Sequence, residues 1–348
     1  MKKLLPLLLF GILFLSLAAQ SKKQYIRLCV GFYNVENLFD TINQPGVIDE
    51  EFTPKGLNRW DIHKYNNKLA NLSTVISQIG GNGPAVLGVA EVENRGVLED
   101  LIAQPLLRDK GYAVAHFDSP DARGVDVGLL YMKNVFSVTE SKAHRVSIPE
   151  EPHIRTRDIL QVSGYIDGEK FHFLVGHWPS RSGGEAASIH RRMAAARVMR
   201  SVTDSLLQID KDAHVILMGD FNDDPTSPSI REGLKAQYHD RNLKYDDLFT
   251  PMYKLYKDGI GTLAYRDVWS LFDIMLVNGN LLGNNYERFT LYKDPKSGNQ
   301  AFIFNKPFLQ QKEGPFKGYP LRTIVGGEYH GGYSDHFPVY IYLVKEVK

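Results

Sequence analysis

The apolar run Val215 to Met218 is followed at once by polar residues whose spacing suits phosphate chemistry. The chain continues as Gly-Asp-Phe-Asn-Asp-Asp-Pro over 219–225, so a buried strand is expected to end in a carboxylate, Asp220, with an amide, Asn222, two residues further on. Side chains two apart at a strand end point the same way, so both can converge on one ligand and hold a water molecule for attack on phosphorus. Asp and Asn also favour turns for local reasons, so this cluster alone leaves open a plain turn that ends the strand.

Further polar clusters follow apolar runs in the same way. They read Asn34-Val35-Glu36-Asn37, Glu91-Val92-Glu93-Asn94-Arg95, His177-Trp178-Pro179-Ser180-Arg181 and Ser334-Asp335-His336. In layered α/β folds the ends of such strands gather at one edge of the sheets, where sites form. Together with the Asp220 cluster they predict one polar site of carboxylates, amides and histidines.

The elements that must carry these clusters alternate between apolar runs and periodic stretches. Strands are predicted over 25–33, 85–90, 127–132, 171–176, 215–218, 272–277 and 339–343. Helices are predicted over 61–79, with Asp61 as N-cap, over 96–101 and over 188–207. The arginines of the last helix are expected to form a solvated face, with contact to nucleic acid as the alternative. This mixture of βα units and hairpin-like runs predicts an α/β sandwich in which two sheets pack face to face with helices outside.

The amino-acid composition limits the kinds of molecule that the protein can act on. The chain has 348 residues, 43% of them hydrophobic, which is enough for a sizeable core. A formal net charge of +1 excludes the global basic field of a protein that grips long duplex DNA through many phosphates, although it leaves nucleic acid open. It favours a small or local phosphate-bearing target. The single cysteine, Cys29, is expected to be buried.

The N-terminal residues have the pattern of a secretory signal peptide. Lys2 and Lys3 precede an apolar stretch over 4–17, and Leu17-Ala18-Ala19 is a plausible cleavage site. We expect a cleavable signal peptide over residues 1–20 and a secreted or periplasmic protein, with an uncleaved anchor as the alternative. Residues 21–348 are predicted to form a single domain, in which 281–332 is a long loop region.

The order of these clusters along the chain resembles the endonuclease/exonuclease/phosphatase superfamily, which has the deoxyribonuclease-I-like fold. The resemblance runs from about Arg27 to Leu343 and rests on Asn34, Glu91, His177, Gly-Asp220-Phe-Asn222, Asp273 and Ser-Asp335-His336 in that order. It implies a four-layered α/β sandwich, with two mixed sheets face to face and helices outside. It also implies hydrolysis of phosphoesters that depends on Mg²⁺, with Mn²⁺ or Ca²⁺ as alternatives.

The resemblance also implies roles for the metal-binding residues. Glu91 ends an apolar strand and is expected to be the main ligand, because hard divalent cations prefer oxygen. Asp335 is expected to reach the metal directly or through water. Asn34 supplies either an amide oxygen to the metal or a donor to the phosphate, and the role of Glu36 is left open.

The catalytic roles fall on the other residues of the matched order. Asp220 is expected to orient or deprotonate the attacking water, and Asn222 to fix the same water or the phosphate oxygens. His336 is expected to be protonated and to stabilise the transition-state charge, with Asp273 as its carboxylate partner.

His177 and two arginines complete the expected site. His177 is expected to protonate the leaving oxygen or to contact the phosphate, and its carboxylate partner is left open among Asp118, Asp121 and Asp126. Arg123 and Arg181 are expected to grip a substrate phosphate, since guanidinium groups suit phosphate geometry.

The favoured function is an exported, metal-dependent phosphodiesterase that acts like a nuclease on DNA or RNA, as a monomer without a stable protein partner. A phospholipid or phosphoinositide hydrolase, or a sphingomyelinase-like enzyme, is the alternative on the same fold. Such an enzyme needs an exposed apolar loop or helix, of which the sequence shows no clear example. A non-catalytic binding module is disfavoured because the full set of polar site residues is present.

Overall fold

The computed structural model of the protein describes residues 23–347. The predicted signal peptide over 1–20 lies outside the described residues. Within them, no helix combines the length and the apolar character that crossing a membrane requires.

Most of the regular structure is β-strand. The strands are β1 Tyr25–Leu38, β2 Val86–Val92, β3 Tyr112–His116, β4 Asp126–Met132, β5 Ser137–His144, β6 Ile159–Ile166, β7 Glu169–His177, β8 His214–Asp220, β9 Ala236–Gln237, β10 Leu248–Phe249, β11 Leu263–Tyr265, β12 Val268–Ser270, β13 Asp273–Asn278, β14 Thr290–Leu291, β15 Phe302–Ile303, β16 Ile324–Val325, β17 Glu328–Tyr329 and β18 Val339–Glu346. The α-helices are α1 Ile62–Ile76, α2 Arg95–Ile102, α3 Glu185–Ile209 and α4 Met252–Lys257.

The longer strands form two mixed sheets. The first sheet has the order β14-β18-β1-β2-β4-β3, with β15 also paired to β18, and the second has the order β5-β6-β7-β8-β13-β10-β9. Two short hairpins, β11-β12 and β16-β17, stand apart from them.

The packing produces four layers, as the resemblance implies. One apolar cluster contains Phe32 of β1 and Ile216 of β8 and lies between the sheets; Met199 of α3 belongs to it from the outer face of the second sheet. A second cluster joins Tyr33 of β1 to Leu69 of α1 on the outer face of the first sheet. Phe32 and Tyr33 point to opposite faces because side chains alternate along a strand. Burial of each such side chain contributes about 1.5–3 kcal/mol.

Strand directions bring the polar clusters to one edge. β1 runs parallel to β2, and β7 runs parallel to β8, so each pair ends on the same side. β13 is antiparallel to β8, and the register places Asp273, its first residue, opposite Asp220, the last residue of β8. Gly219 is required before Asp220, because a Cβ there would collide with the carbonyl oxygen of Gly176 on β7.

The predicted elements are all present, with differences at their ends. Asp61 caps α1 as predicted, accepting from the backbone N–H groups of His63 and Lys64. α1 ends at Ile76 and not at 79; a separate 3₁₀ turn follows over Ile79–Gly81, in which Gly80 has a left-handed φ of 65°. β1 does not end at residue 33 but continues to Leu38, with a register shift against β2.

The prediction of a solvated arginine face on α3 is wrong at one position. The side chain of Arg192 is fully buried, and its Nε lies 2.8 Å from Oδ2 of the equally buried Asp223. Ser229 also donates to Asp223, at 2.5 Å. The turn after β8 is therefore anchored to α3 by a buried ion pair.

Candidate active site

Both sheets contribute to one polar site at the edge where these strands end. Asn34 and Glu91 come from the first sheet, and His177, Asp220 and Asp273 from the second. Asp335 and His336 come from the segment that immediately precedes β18. The structure thus brings the five predicted clusters together.

Asn34 ties the two sheets to each other at the centre of the site. Its buried amide Nδ2 donates to Asp220 Oδ2 at 3.0 Å and lies 3.3 Å from Glu91 Oε1. Its Oδ1 accepts from the backbone N–H of Glu36 at 3.0 Å. The amide therefore holds two carboxylates together, and its oxygen is engaged by the main chain. These contacts do not support the expectation that Asn34 is a metal ligand.

Glu91 occupies an unusual backbone conformation at the end of β2. Its φ of 62° is left-handed, which is uncommon for a residue other than glycine. The carboxylate accepts from the backbone N–H of Asn37 at 3.0 Å through Oε2, and the side chain is 15% exposed. Such strain is typical of functional sites whose surroundings enforce it. It places the Glu91 carboxylate at the mouth of the site.

Asp220 is a buried carboxylate among like charges. Burial raises the pKa of Asp220 to about 6; the positive charge of His336 opposes this, and the negative charges of Asp273 and Glu91 add to it. The backbone N–H of Asn222, which has a left-handed φ of 51°, donates to Asp220 Oδ1 at 3.0 Å. Asp220 is thus a base whose affinity for a proton is tuned close to neutral pH.

The Asn222 amide is directed by the main chain. Its Nδ2 donates to the carbonyl oxygen of Trp178 at 3.0 Å, which orients the amide on the turn after Asp220. The side-chain oxygen is the group left to hold a water molecule or a substrate hydroxyl.

His336 and Asp273 form the ion pair that the resemblance implies. Nδ1 of His336 lies 2.7 Å from Asp273 Oδ2, and Nε2 lies 3.8 Å from Asp220 Oδ2. Burial of the imidazole lowers its pKa, but the charges of Asp273 and Asp220 and the hydrogen bond to Asp273 outweigh this and raise the pKa well above its usual value. Ser334 fixes the segment, because its hydroxyl donates to the Asn34 carbonyl at 2.6 Å and accepts from the His336 N–H at 3.1 Å. His336 is therefore an imidazolium at neutral pH.

His177 is in the opposite protonation state. Its Nε2 lies 3.7 Å from Asp220 Oδ2 and 3.8 Å from Glu91 Oε1. Burial and the positive charges of Arg157 and other nearby cations lower the pKa of His177 well below its usual value. A neutral imidazole suits a hydrogen-bond contact to a phosphate oxygen better than proton donation to a leaving group.

None of the carboxylates considered as partners contacts the His177 ring in the described part of the chain. Asp121 is paired with Arg157 at 2.7 Å, and Arg157 also donates to the His177 backbone carbonyl at 3.0 Å. Asp126 pairs with a neighbouring histidine at 3.1 Å, and Asp118 is exposed. The contacts therefore favour none of the three open candidates as the partner of His177, because each has another partner or lies in solvent.

The two predicted phosphate-gripping arginines have different surroundings. Arg181 donates to the Asn222 carbonyl at 2.9 Å and to Asp224 at 3.2 Å, so its guanidinium supports the turn after β8. That engagement does not support the expectation that Arg181 grips phosphate. The Arg123 side chain is half-exposed, and its Nε lies 3.7 Å from Asp121 Oδ1. Most of its guanidinium group therefore faces solvent.

Sequence reasoning missed an ion-pair network beside Asp335. Arg322 contacts Asp335 Oδ2 at 3.0 Å and donates to Glu36 Oε1 at 2.7 Å, and the Glu36 carboxylate lies 3.8 Å from the buried Lys68 ammonium. Burial lowers the pKa of Lys68 to about 8. Lys68 gave a usable signal, since it lies three residues after Tyr65 on the apolar stripe of α1, whereas Arg322 lies in a stretch without periodicity.

The carboxylates of the site suit a hard divalent cation. Asp335 Oδ1 is buried without a hydrogen-bond partner among the described residues, and Glu91 raises the pKa of Asp220, so a cation would relieve both an orphaned acceptor and like-charge repulsion. Glu91 and Asp335 are the residues that would hold it, next to the Asp220 carboxylate.

A tighter cluster lies elsewhere. His116, Asp118 and Asp126 offer ligand atoms within 4.8 Å of one another, the one such group of three found over residues 23–347. Asp126 there already accepts from the Ser119 N–H at 2.8 Å and pairs with His116 at 3.1 Å. Mg²⁺ keeps several waters and needs only one or two carboxylates, so the looser set at the strand ends fits it without a closed cage.

Comparisons with known proteins agree with the fold. A structure of an endonuclease/exonuclease/phosphatase family protein from Bacteroides thetaiotaomicron is 17% identical with a TM-score of 0.53, covering 93% of this chain and 100% of that one. D. rerio TDP2 complexed with a single-strand DNA product is 14% identical with a TM-score of 0.54, covering 91% and 98%. A mannosyl-6-phosphatase from Bacteroides thetaiotaomicron is 17% identical with a TM-score of 0.51, covering 92% and 100%. None of the curated proteins matches the chain.

The family assignment rests on a sequence model that spans the whole sandwich. The Endonuclease/Exonuclease/phosphatase family matches residues 29–345, from β1 into β18, and so includes every strand that carries a site residue. The chain therefore belongs to this family and is a metal-dependent phosphoric ester hydrolase.

Proposed function

We propose that the protein hydrolyses a phosphodiester by attack of a water molecule held at Asp220, with His336 stabilising the charge on phosphorus. The observation that carries this proposal is the close approach of a base, the Asp220 carboxylate, and an acid, the His336 imidazolium. Asp220 Oδ2 lies 3.8 Å from His336 Nε2, and Asp273 at 2.7 Å keeps the imidazole charged. The two groups are therefore close enough to act on one reacting phosphate, the imidazolium on a phosphoryl oxygen and the carboxylate on the attacking water.

The reaction divides among the residues as follows. Asp220 accepts one proton as the water oxygen forms its bond to phosphorus, and Asn222 holds that water through its amide oxygen. The bond from phosphorus to the ester oxygen breaks, and the alkoxide leaves as an alcohol after it takes a proton from solvent. His336 and neutral His177 donate hydrogen bonds to the non-bridging oxygens. A divalent cation, which Glu91 and Asp335 would hold, would supply neutralisation of the negative charge of the substrate.

A nucleic acid is the first substrate class that we propose, with an exported, monomeric protein as the active form. Support comes from the order of the site residues and from the fold, which is shared with a TDP2 structure that holds a single-strand DNA product. The net charge of +1 favours a short or single strand over long duplex DNA.

A lipid phosphoester is the second candidate, and a specific observation favours it. Ile42, Ile48 and Leu57 are 73%, 67% and 76% exposed within the one segment that follows β1, although the sequence alone shows no clear apolar loop. Exposed apolar side chains on a loop are the feature that contact with a membrane surface requires.

The test compares four substrates on the purified protein with Mg²⁺: bis-p-nitrophenyl phosphate, a single-stranded oligonucleotide, plasmid DNA and sphingomyelin vesicles. We expect hydrolysis of the generic diester and of the oligonucleotide, and its loss in His336→Ala. Cleavage of lipid alone would replace the first candidate with the second. Inactivity on every ester, or a fully active His336→Ala protein, would refute the proposed chemistry.

A further inference from the structure

The two oxygens of the Asp335 carboxylate have different surroundings. Oδ2 lies 3.0 Å from the guanidinium of Arg322, whereas Oδ1 is buried without a hydrogen-bond partner among the described residues. Hard cations bind carboxylates through one oxygen or through both. Because Arg322 already engages Oδ2, Asp335 has one oxygen, Oδ1, left for a divalent cation.

Arg322 is held in this contact by Glu36. Nε of Arg322 donates to Glu36 Oε1 at 2.7 Å, so one guanidinium joins an oxygen of Glu36 to an oxygen of Asp335. The planar fork of an arginine suits such a bridge, and its charge is permanent. Arg322 thus occupies the two oxygens that a second divalent cation between these carboxylates would need.

The other oxygen of Glu36 is engaged as well. Its Oε2 accepts from the backbone N–H of Thr323 at 2.8 Å and lies 3.8 Å from Nζ of Lys68. The fully buried Lys68 donates to the Thr323 hydroxyl at 2.6 Å and to the Tyr333 carbonyl at 2.7 Å. These contacts tie α1 to the chain on either side of the hairpin β16-β17. Glu36 is therefore a fixed anchor for the guanidinium, with neither oxygen open to a metal ion.

Ions from solvent can approach this group of charges through a cavity. Glu36 and Arg322 line a cavity of about 340 Å³, and the Arg322 side chain is 43% exposed, against 4% for Glu36. Removal of the guanidinium would open Glu36 to this cavity. It would also leave the Glu36 and Asp335 carboxylates close together, with Lys68 as the remaining cation of the network.

We propose that Arg322 is a positioning residue that takes the place of a second metal ion. Held by Glu36, it orients Asp335 so that Oδ1 alone binds a divalent cation, and the site works with one cation at a time. The inference rests on one part of the proposed function, the binding of that cation by Glu91 and Asp335. It assigns Glu36 the role of anchor for Arg322 and not that of a metal ligand.

The test counts bound Mn²⁺ by equilibrium dialysis, with the purified proteins and without substrate. We expect one ion per chain in the wild type and two in Arg322→Met, which removes the charge. Adding Glu36→Gln to Arg322→Met should return the count to one, because the second ion needs the Glu36 carboxylate. Arg288→Met is the matched control: Arg288 is 44% exposed and lies 3.7 Å from Glu169, the first residue of β7, whereas the site lies at the last.

Two further measurements separate this role from a merely structural one. The first Mn²⁺ should bind Arg322→Met at least about tenfold more tightly than the wild type, because a neighbouring positive charge is gone, whereas loss of a structural contact weakens metal binding. The two ions of Arg322→Met should give the EPR spectrum of a coupled Mn²⁺ pair. Arg322→Lys keeps the charge and should bind one ion. Arg322→Gln removes the charge but keeps a donor, and it replaces Arg322→Met if thermal melts in EDTA show that protein to be poorly folded.

An ion bound at His116, Asp118 and Asp126 must not enter the count. All proteins are therefore measured in an Asp118→Asn background, which removes the exposed carboxylate of that cluster. Two ions in the protein that retains Arg322, or one ion of unchanged or weaker affinity in its absence, would overturn the inference.

The outcome for the proposed function is read separately, from hydrolysis of bis-p-nitrophenyl phosphate by the wild type. Hydrolysis that depends on His336, combined with either contrary ion count, would leave the proposed function standing without the inference. The expected ion counts without any hydrolysis would support the inference and refute the proposed chemistry. No bound ion in any of the proteins would overturn the inference together with the proposed cation site.

Discussion

The charge of Asp273 should control the pH range in which the enzyme is active. Asp273 Oδ2 lies 2.7 Å from His336 Nδ1, and the two side chains are 1% and 7% exposed. An opposite charge at such a distance shifts a pKa by about 1–3 units, equivalent to about 1.4–4 kcal/mol of preference for the imidazolium. Asp273→Asn keeps the shape and an acceptor oxygen but removes the charge. The pKa of His336 is therefore expected to fall by about 1–3 units.

The sign of the effect on activity follows from the protonated form being the active one. Activity is lost as pH rises through the pKa of His336, so the alkaline limb of the kcat/KM profile should move to lower pH in Asp273→Asn. At pH 8 we expect kcat to fall by about 10²–10³, as for the loss of one donor to a developing oxyanion.

The assay is a pH profile on bis-p-nitrophenyl phosphate with Mg²⁺, combined with an NMR titration of the His336 ring. Asp212→Asn is the control, because that carboxylate is 89% exposed and lies away from the site. An unchanged alkaline limb with kcat within about threefold of wild type would show that Asp273 does not govern His336, contrary to the range expected for a buried pair.

Three further perturbations test other parts of the structure. Because burial raises the pKa of Asp220 to about 6, against 3.8 in an unfolded chain, Asp220→Asn should abolish turnover yet raise the free energy of unfolding in EDTA. The increase in the free energy of unfolding should be up to about 3 kcal/mol at pH 7–8 and should vanish near pH 4. Urea titrations at both pH values measure it, and equal increases at the two values would contradict the reasoning. EDTA should abolish hydrolysis, and added Mg²⁺ should restore it. Mg²⁺ should also raise the melting temperature of the wild-type protein, and thermal melts should show a smaller increase in Glu91→Gln. Arg192→Met should cost about 3–5 kcal/mol by removing the fully buried cation from the Asp223 carboxylate, which would keep only its contacts with Arg181 and Ser229; an unchanged urea midpoint would show that the Arg192–Asp223 ion pair is dispensable.

The sequence could predict the elements whose patterns are local. The apolar run over 215–218 and the Asp61 cap were readable because alternation and capping depend on neighbouring residues. The His336–Asp273 contact could be expected from the resemblance alone, since 63 positions separate the two residues.

Other features depend on tertiary contacts that no local pattern encodes. The extension of β1 to Leu38 passes through Glu36 and Asn37 in left-handed conformations of 52° and 50°, which only the surrounding contacts stabilise. Arg192 is buried because Asp223 on another element meets it. Arg322 comes from a segment without periodicity, so its place beside Asp335 emerged only from the fold.

The pairing of β1 with β18 has a consequence for how the protein folds. Tyr25 of β1 pairs with Glu346 of β18, so the first sheet cannot form completely until the last strand has been synthesised. Until β18 has left the ribosome, one edge of β1 is unpaired. The Asn34 carbonyl then also lacks the hydrogen bond that the Ser334 hydroxyl donates to it. Closure over such a sequence separation is slow in folding domains. Catalytic competence should therefore arise late and abruptly during folding, and a nascent chain that stops before residue 339 should have no hydrolytic activity.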